Sequence, residues 1–277
     1  MKTVFTLASG RSGTSFLCGL LQKNAQGCVV VHEPYADWGN PTMFGLPIYD
    51  HSMGNTAPVR DLLEKKASRI GQYEPRVYIE TSHAFLKSYW DFAPEFFPDL
   101  SLVHLVRDPL QVARSEANRE LLIERWRLPF RHYRGPDGRK YFRWSLTGLE
   151  PIFDFFEPES LTRFQWYLIQ WIEIENRAIE FLERFDKRSM CFTLHSPTAL
   201  NDRTQIAALL RFLKLEPQTS TPVIAGYHNR TPARRTVVGT VEENECREVI
   251  ERIPERFLRI FRDAPYSNFE WTRWLQK

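Results

Sequence analysis

The sequence predicts an α/β protein in which a central parallel sheet is covered by helices on both faces, a three-layer sandwich. Short apolar runs rich in β-branched residues recur along the chain, and a turn and a stretch with helical apolar spacing follow most of them. Such repeated strand–turn–helix units are typical of parallel sheets. The 277 residues, 43% of them hydrophobic, suffice for one such domain and do not require two. We therefore expect a single domain over 1–277.

The first two predicted strands lie at the start of the chain. Residues 3–8 form a β-branched apolar run that ends at a Ser-Gly turn, and apolar residues at helical spacing follow over 14–21. Residues 28–32 are continuously apolar, as in a strand buried on both faces. The polar stretch over 33–58 contains proline and glycine and is predicted to be a long functional loop.

The same patterns predict the later elements. Strands are expected over 76–81, 100–106 and 190–194. Helices are expected over 60–70, from Pro109 onward, over 161–185, over 199–213, and over 242–261 with an end or kink near Pro254. Residues 120–160 are rich in Arg and aromatic residues and are predicted to be an insertion, with an exposed turn or lid at 134–140.

Composition and charge narrow the possible functions. The net charge is only +3, without the basic field of a nucleic-acid-binding protein. The cysteines show no CxxC or zinc-ligand spacing, so we expect reduced, buried thiols and no metal site; they are Cys18, Cys28, Cys191 and Cys246. The chain shows no apolar leader and no apolar run long enough to span a membrane. These observations predict a cytoplasmic protein.

The turn after the first predicted strand has the features of a phosphate-binding loop. It reads SGRSGTS over 9–15, and its glycines allow a tight turn that aims backbone N–H groups at an anion on the helix N-terminus. The usual GxxxxGK[ST] pattern is absent and Arg11 supplies the only charge, which disfavours a standard ATPase or GTPase. The loop therefore predicts a P-loop-like anion cradle; a glycine turn without a ligand is the alternative.

A second candidate anion site follows the strand predicted over 100–106. Arg107, Asp108 and Pro109 end this strand, and Ser115 comes eight residues after Arg107, about two helical turns later. An arginine fork and a serine hydroxyl can bind one phosphate together. The alternative is that Arg107 and Asp108 pair with each other at a helix start.

Together the two motifs resemble those of sulfotransferases that use 3′-phosphoadenosine-5′-phosphosulfate (PAPS). ASGRSGTSFLCGLL resembles the arginine-bearing first motif of carbohydrate and tyrosylprotein sulfotransferases, and LVHLVRDPLQVARS resembles the second motif of the family. Cytosolic members carry a lysine where Arg11 stands. The resemblance covers about 30 residues and implies a sulfotransferase that transfers a sulfuryl group from PAPS, releases adenosine 3′,5′-bisphosphate (PAP) and requires no metal.

The resemblance also implies roles for individual residues. The backbone of Ser12, Gly13 and Thr14, with the hydroxyls of Thr14 and Ser15, would bind the 5′-phosphate, and Arg11 would contact the phosphosulfate bridge. Likewise, Arg107 and Ser115 would bind the 3′-phosphate.

Three residues at predicted strand ends are candidates for the base that takes the acceptor proton. Glu33 in VVVHEPY and Glu80 in VYIETSH are both expected to face the crevice above the sheet. Glu33 resembles the proposed base of arginine-bearing family members and is favoured. Glu80 resembles a glutamate of heparan-type members, but Thr81 and His83 depart from that pattern. His83 is the next candidate, since a histidine is the base in cytosolic members.

The acceptor is left open by the sequence. A sugar, a lipid or another small metabolite with a hydroxyl or amine is expected, with determinants in the loop over 35–49 and the insertion. Aromatic residues there could stack on it: Tyr35, Trp38, Trp126 and Tyr133. A basic segment with His228, Asn229, Arg230, Arg234 and Arg235 is a solvated loop or a cover for the 3′-phosphate. No nucleic acid or membrane partner is expected, and a homodimer is left open.

Two other functional classes remain alternatives. One is a P-loop kinase-like phosphotransferase, which the absence of the Gly-Lys-[ST] pattern argues against. The other is a non-catalytic nucleotide-binding protein of the same fold. Magnesium-independent binding of PAP separates the sulfotransferase from the first alternative, and turnover separates it from the second.

Overall fold

The structure is a computed structural model that describes residues 1–34, 40–74, 77–126, 128, 131–224 and 238–266. In chain order the strands are β1 (Lys2–Ala8), β2 (Ala25–Gln26), β3 (Cys28–Val31), β4 (Val77–Glu80), β5 (Leu100–Arg107), β6 (His132–Arg134), β7 (Lys140–Phe142), β8 (Cys191–Ser196) and β9 (Glu216–Pro217). The helices are α1 (Thr14–Asn24), α2 (Leu46–Ser52), α3 (Thr56–Gly71), α4 (Phe85–Ser88), α5 (Ala93–Phe96), α6 (Pro109–Arg125), α7 (Arg163–Arg184), α8 (Arg203–Leu213) and α9 (Thr240–Arg252). Short 3-10 helices occur at Pro151–Phe155, Pro158–Ser160, Arg188–Met190, Ala199–Asn201 and Glu255–Phe261.

The main sheet of the described chain is parallel throughout. Its five strands lie in the order β3–β4–β1–β5–β8, so the glycine turn follows the central strand. Because all pairs are parallel, the carboxyl ends of the strands meet at one edge. Two small antiparallel pairs, β2 with β9 and β6 with β7, lie outside this sheet.

Alternating side chains of the strands build a separate core on each face of the sheet. Phe5 faces one cluster, which contains apolar residues of α3, α4, α6, α7 and α9. Its neighbour Val4 faces the other, with apolar residues of α1 and α8. The period of two along each strand explains this division. The predicted α/β fold with helices on both faces of a parallel sheet is confirmed.

Glu175 of α7 belongs to a buried polar cluster. Glu175 is fully buried, and its carboxylate lies 2.9 Å from His104 Nε2 and accepts a hydrogen bond of 2.7 Å from the Tyr266 hydroxyl. This contact ties strand β5, the long helix α7 and the C-terminal part of the described chain together.

Two sequence-based expectations need correction. The stretch over 33–58 is not one long loop, because α2 and the first turn of α3 lie within it. The predicted insertion over 120–160 begins within the last turns of α6 and contains the β6–β7 hairpin, whose turn is exposed over 136–139. The cysteines are all free, but Cys28 and Cys191 are only half-buried. In the described ranges, no helix combines the length and apolar character needed to cross a membrane.

Candidate active site

The glycine turn forms an open helix start at the carboxyl end of the central strand. Gly13 precedes α1 with a φ of 106°, a conformation that favours glycine, and no side chain caps this helix. A Cβ on Gly13 would lie 2.9 Å from Ser196 Oγ. The buried Ser12 hydroxyl pairs with that of Ser9 at 2.7 Å, which braces the turn. Backbone N–H groups of the first turn of α1 are therefore placed to receive an anion.

The hydroxyls assigned to the 5′-phosphate differ in exposure. Thr14 is buried and Ser15 is half-buried, both in the first turn of α1. Ser12 contributes its backbone to the turn, while its side chain serves the contact with Ser9.

The second motif meets the glycine turn directly. Arg107 Nη1 donates a hydrogen bond of 2.8 Å to the carbonyl of Arg11, and Arg11 Nε donates one of 3.0 Å to Ser115 Oγ. Arg11 has a φ of 62°, which a non-glycine residue adopts rarely and mostly where the surroundings impose it. Asp108 caps α6 by accepting a 2.8 Å bond from the Gln111 N–H, so this carboxylate holds the helix start. The structure thus brings the two motifs together at one basic edge of the sheet.

A glutamate and a histidine form a pair beside the glycine turn. Glu33 Oε1 lies 3.2 Å from His83 Nε2, and His83 Cε1 lies 3.7 Å from the position a Cβ on Gly10 would take. Glu33 has a φ of 45°, another strained conformation within this edge of the sheet. Its side chain is 14% exposed, whereas that of His83 is 3% exposed, so Glu33 is the member that a substrate can reach.

His32 and Phe44 frame this pair. His32 Nδ1 lies 2.6 Å from the Thr81 carbonyl, and its Nε2 lies 3.8 Å from Glu33 Oε1. The Phe44 ring packs 4.8 Å from the His83 ring. The His32 side chain, 27% exposed, therefore lies at the edge of the site.

The surroundings fix the protonation of the pair at neutral pH. Burial and the nearby Lys87 charge lower the pKa of His83 to about 4, and Glu33 opposes this shift. Burial alone would raise the pKa of Glu33, but His83, His32 and Arg119 together lower it to about 2. Glu33 is thus ionised and His83 neutral. With its proton on Nε2 facing Glu33, His83 carries a lone pair on Nδ1, a buried atom that has no hydrogen-bond partner among the described residues.

We expect the imidazole of His83 to titrate near pH 4, well below the ordinary value of 6.5. As the pH falls, the imidazole is protonated in the unfolded chain near 6.5 but in the folded protein only near 4. His83 therefore lowers the free energy of unfolding as the pH falls from about 6.5 toward 4. NMR titration of the histidine ring signals, with His83→Gln to assign the resonance, measures the pKa. A value at or above 6.5 would show that Glu33 and His83 form a charged ion pair instead.

The structure corrects the expectation that Glu80 faces the crevice. Glu80 is 1% exposed, and its Oε2 lies 2.5 Å from Lys66 Nζ and accepts a 2.8 Å hydrogen bond from the Tyr78 hydroxyl. Tyr78 and Glu80 are two residues apart on β4 and share the face that packs against α3, so the carboxylate points beneath a helix. Glu80 is a buried structural partner of Lys66.

Three charged residues that the motifs do not contain join the site. Glu116 is fully buried and ion-paired with Arg119, which lies one helical turn later on α6. Arg119 is close enough to influence the pKa values of Glu33 and His83. Lys87 is fully buried one helical turn after His83. The sequence contains a signal for Glu116 and Arg119, because both lie within about one helical turn of Ser115 in a predicted helix. It contains no such signal for Lys87.

The β6–β7 hairpin and the residues after it form a wall on this side of the site. The Arg119 guanidinium lies 5.2 Å from the Phe142 ring centroid and 5.6 Å from that of Trp144, and Arg131 packs 4.8 Å from Trp144. Lys87 Nζ donates a 2.5 Å hydrogen bond to the Trp144 carbonyl. These cation contacts therefore hold the wall against the side of the site that contains Arg119 and Lys87.

Several predicted acceptor or cofactor residues cannot be placed. Tyr35, Trp38 and the basic segment with His228, Asn229, Arg230, Arg234 and Arg235 lie outside the described residues. Trp126 is 64% exposed at the end of α6, and Tyr133 packs against Tyr141 in the hairpin. In the part of the chain that the structure describes, no group of three or more His, Cys, Asp or Glu side chains is arranged to hold a metal ion.

Comparisons with known proteins show the fold. No protein-family model matches the sequence, and no curated protein matches it. The structure is similar to that of a sulfotransferase from Alicyclobacillus acidocaldarius, with a TM-score of 0.51, 12% identity and coverage of 99% of both chains. It also matches the sulfotransferase domain from the curacin biosynthetic pathway, with a TM-score of 0.45, 11% identity and coverage of 99% of this chain and 95% of that one. The chain therefore has a fold that is found in a sulfotransferase.

Proposed function

We propose that this protein is a PAPS-dependent sulfotransferase that sulfates a hydroxyl or amine of a small-molecule or glycan acceptor. The observation that carries the proposal is the meeting of the two anion motifs, in which Arg107 binds the Arg11 carbonyl and Arg11 binds Ser115. One ligand with phosphates on the 3′ and 5′ oxygens of the ribose can span these groups. The shared fold with a sulfotransferase supports this reading.

The residues present fit the two phosphate groups of PAPS. Gly10 and Gly13 leave no room for a Cβ, since this atom would lie 1.9 Å from Glu116 Oε1 or 2.9 Å from Ser196 Oγ. Bare backbone therefore lies at both glycine positions, and α1 begins without a side-chain cap. Backbone N–H groups at 12–14 with the Thr14 and Ser15 hydroxyls would hold the 5′-phosphate, and Arg107 and Ser115 the 3′-phosphate.

Residues of this chain can take the proton of the acceptor and stabilise the negative charge that develops on the leaving group. PAPS supplies the sulfuryl group, whose bond to the bridging phosphate oxygen breaks as its bond to the acceptor forms. Glu33 takes the acceptor proton, and His83 orients this carboxylate through the contact of 3.2 Å between Nε2 and Oε1. Arg11 and the start of α1 stabilise the negative charge that develops on the leaving oxygen. Charge stabilisation by these groups involves no metal.

Replacing Arg107 by alanine is expected to weaken binding of PAP by about tenfold or more, because a charged hydrogen-bond donor to phosphate is lost and the Arg11 carbonyl loses its partner. Isothermal titration calorimetry of both proteins with PAP, with and without magnesium, measures the effect. Arg211→Ala, an exposed arginine on α8, is the matched control and should bind like the wild type.

The same titration separates the alternative functions. Binding of PAP to the wild type without magnesium supports the sulfotransferase. Preference for magnesium ATP would support the kinase-like alternative, and equal affinity of Arg107→Ala and wild type would remove Arg107 from the site.

A further inference from the structure

Glu116 places a negative charge inside a site built for anions. The Glu116 side chain is fully buried on α6, directly after Ser115. Its Oε1 lies only 1.9 Å from the position that a Cβ on Gly10 would take, so the carboxylate packs against the backbone of the glycine turn. Its Oε2 is ion-paired with Arg119, whereas Oε1 has no hydrogen-bond partner among the described residues. A buried carboxylate in this position requires an explanation, because it repels the phosphates that the turn is proposed to bind.

Three cations surround this carboxylate. Arg119 forms an ion pair with it. Burial lowers the pKa of Arg11, and the Glu116 charge acts against that shift. Burial likewise lowers the pKa of Lys87 to about 7, and Glu116 is again the largest opposing influence. The Glu116 carboxylate thus balances positive charges that belong to one buried cluster.

Such a carboxylate has opposite effects on the empty and the occupied site. Without a ligand, it stabilises the cations of the cluster together with Glu33, whose charge acts on Arg11 and Lys87 more weakly than that of Glu116. When an anion with several charges binds beside Arg11, the cations gain a second partner, while Glu116 and the ligand repel each other. The net effect is lower affinity for the anion than the cations alone would give.

We propose that Glu116 is an internal counter-charge that sets the affinity of the site, stabilising the empty protein and weakening its hold on the bisphosphate product. This proposal rests on the proposed function, since PAP is the ligand concerned. It assigns to Glu116 the role of an affinity-determining residue whose charge favours product release. Glu116 contacts the glycine turn and Arg119 and is assigned no part in taking the acceptor proton.

The Glu116→Gln variant tests the proposal because it keeps the shape of the side chain and removes its charge. We expect its dissociation constant for PAP, measured by calorimetry, to be about tenfold lower than that of the wild type. We also expect its melting temperature to be lower than that of the wild type without PAP, with a smaller difference at saturating PAP. Glu120→Gln is the matched control: this residue lies one turn later on α6 and contacts Arg163 and Tyr167, and both quantities should respond to PAP as in the wild type.

Each outcome gives a definite answer. An unchanged dissociation constant would show that Glu116 only packs, and weaker binding would show that it positions Arg119; either result overturns the proposal. If Glu116→Gln does not fold, the comparison is made in the Arg119→Gln background, where adding Glu116→Gln should again tighten binding. If the wild type itself does not bind PAP, the proposed function fails, which is a different result from a failure confined to the variants.

Discussion

Glu33→Gln is expected to lower sulfuryl transfer about 10²–10⁴-fold while leaving affinity for PAP close to that of the wild type. The amide keeps the size of the carboxylate and its contact with His83 Nε2, but it cannot take a proton from the acceptor. Glu33 is also the more exposed member of the pair, at 14% of its side chain. The measurement is release of PAP from PAPS in the presence of a mixed set of phenols, sugars and amines, followed by calorimetry with PAP.

The design separates a catalytic role from a binding role. Glu95→Gln serves as the control, since Glu95 is an exposed residue of α5 that pairs with Arg60 and belongs to neither motif. Full turnover by Glu33→Gln would show that a group other than Glu33 takes the acceptor proton. A wild type that binds PAP tightly but turns over none of the acceptors would favour the non-catalytic nucleotide-binding alternative.

The backbone of the site could be predicted from the sequence because it depends on local pattern and topology. A β-branched run predicted β1, and two glycines predicted the turn after it. Parallel pairing of β1 with β5 then brings residues 11 and 107 to one edge, whatever the packing of the rest. The contact of Arg107 with the Arg11 carbonyl is a direct consequence of that topology.

The buried charges could not be predicted in the same way. Glu80 is the last residue of its strand, and Glu33 follows its strand closely, so the sequence pattern treats the two alike. Glu80 is nevertheless buried, because its side chain lies on the face of β4 that packs against α3 and pairs with Lys66 of that helix. Lys66 lies 14 residues before Glu80 and belongs to no recognisable motif, so the sequence does not reveal the pair. The burial of Glu116 and Lys87 likewise depends on which face of each helix packs against the sheet. Tertiary packing determines that face, and the spacing of residues alone does not.

Replacing Lys66 by methionine is expected to lower the free energy of unfolding by about 3–5 kcal/mol, the cost of leaving a buried carboxylate without its partner. The side chains of Lys66 and Glu80 are 0% and 2% exposed, and their charged atoms lie 2.5 Å apart. Chemical denaturation measures the loss. Arg60→Met on the same helix removes an exposed pair with Glu95, with side chains 40% and 53% exposed, and should cost only a small fraction of it.

The double variant Lys66→Met/Glu80→Gln shows why the loss occurs. If the uncompensated charge is the cause, removing it should restore part of the stability that Lys66→Met loses, even though the ion pair is absent from both variants. Variants that remain folded should bind PAP like the wild type, because Glu80 lies beneath α3 and away from the glycine turn. Loss of PAP binding at undiminished stability would show that Glu80 belongs to the active site. Loss of stability with unchanged binding would show that Glu80 is part of the framework that holds β4, and with it His83, in place.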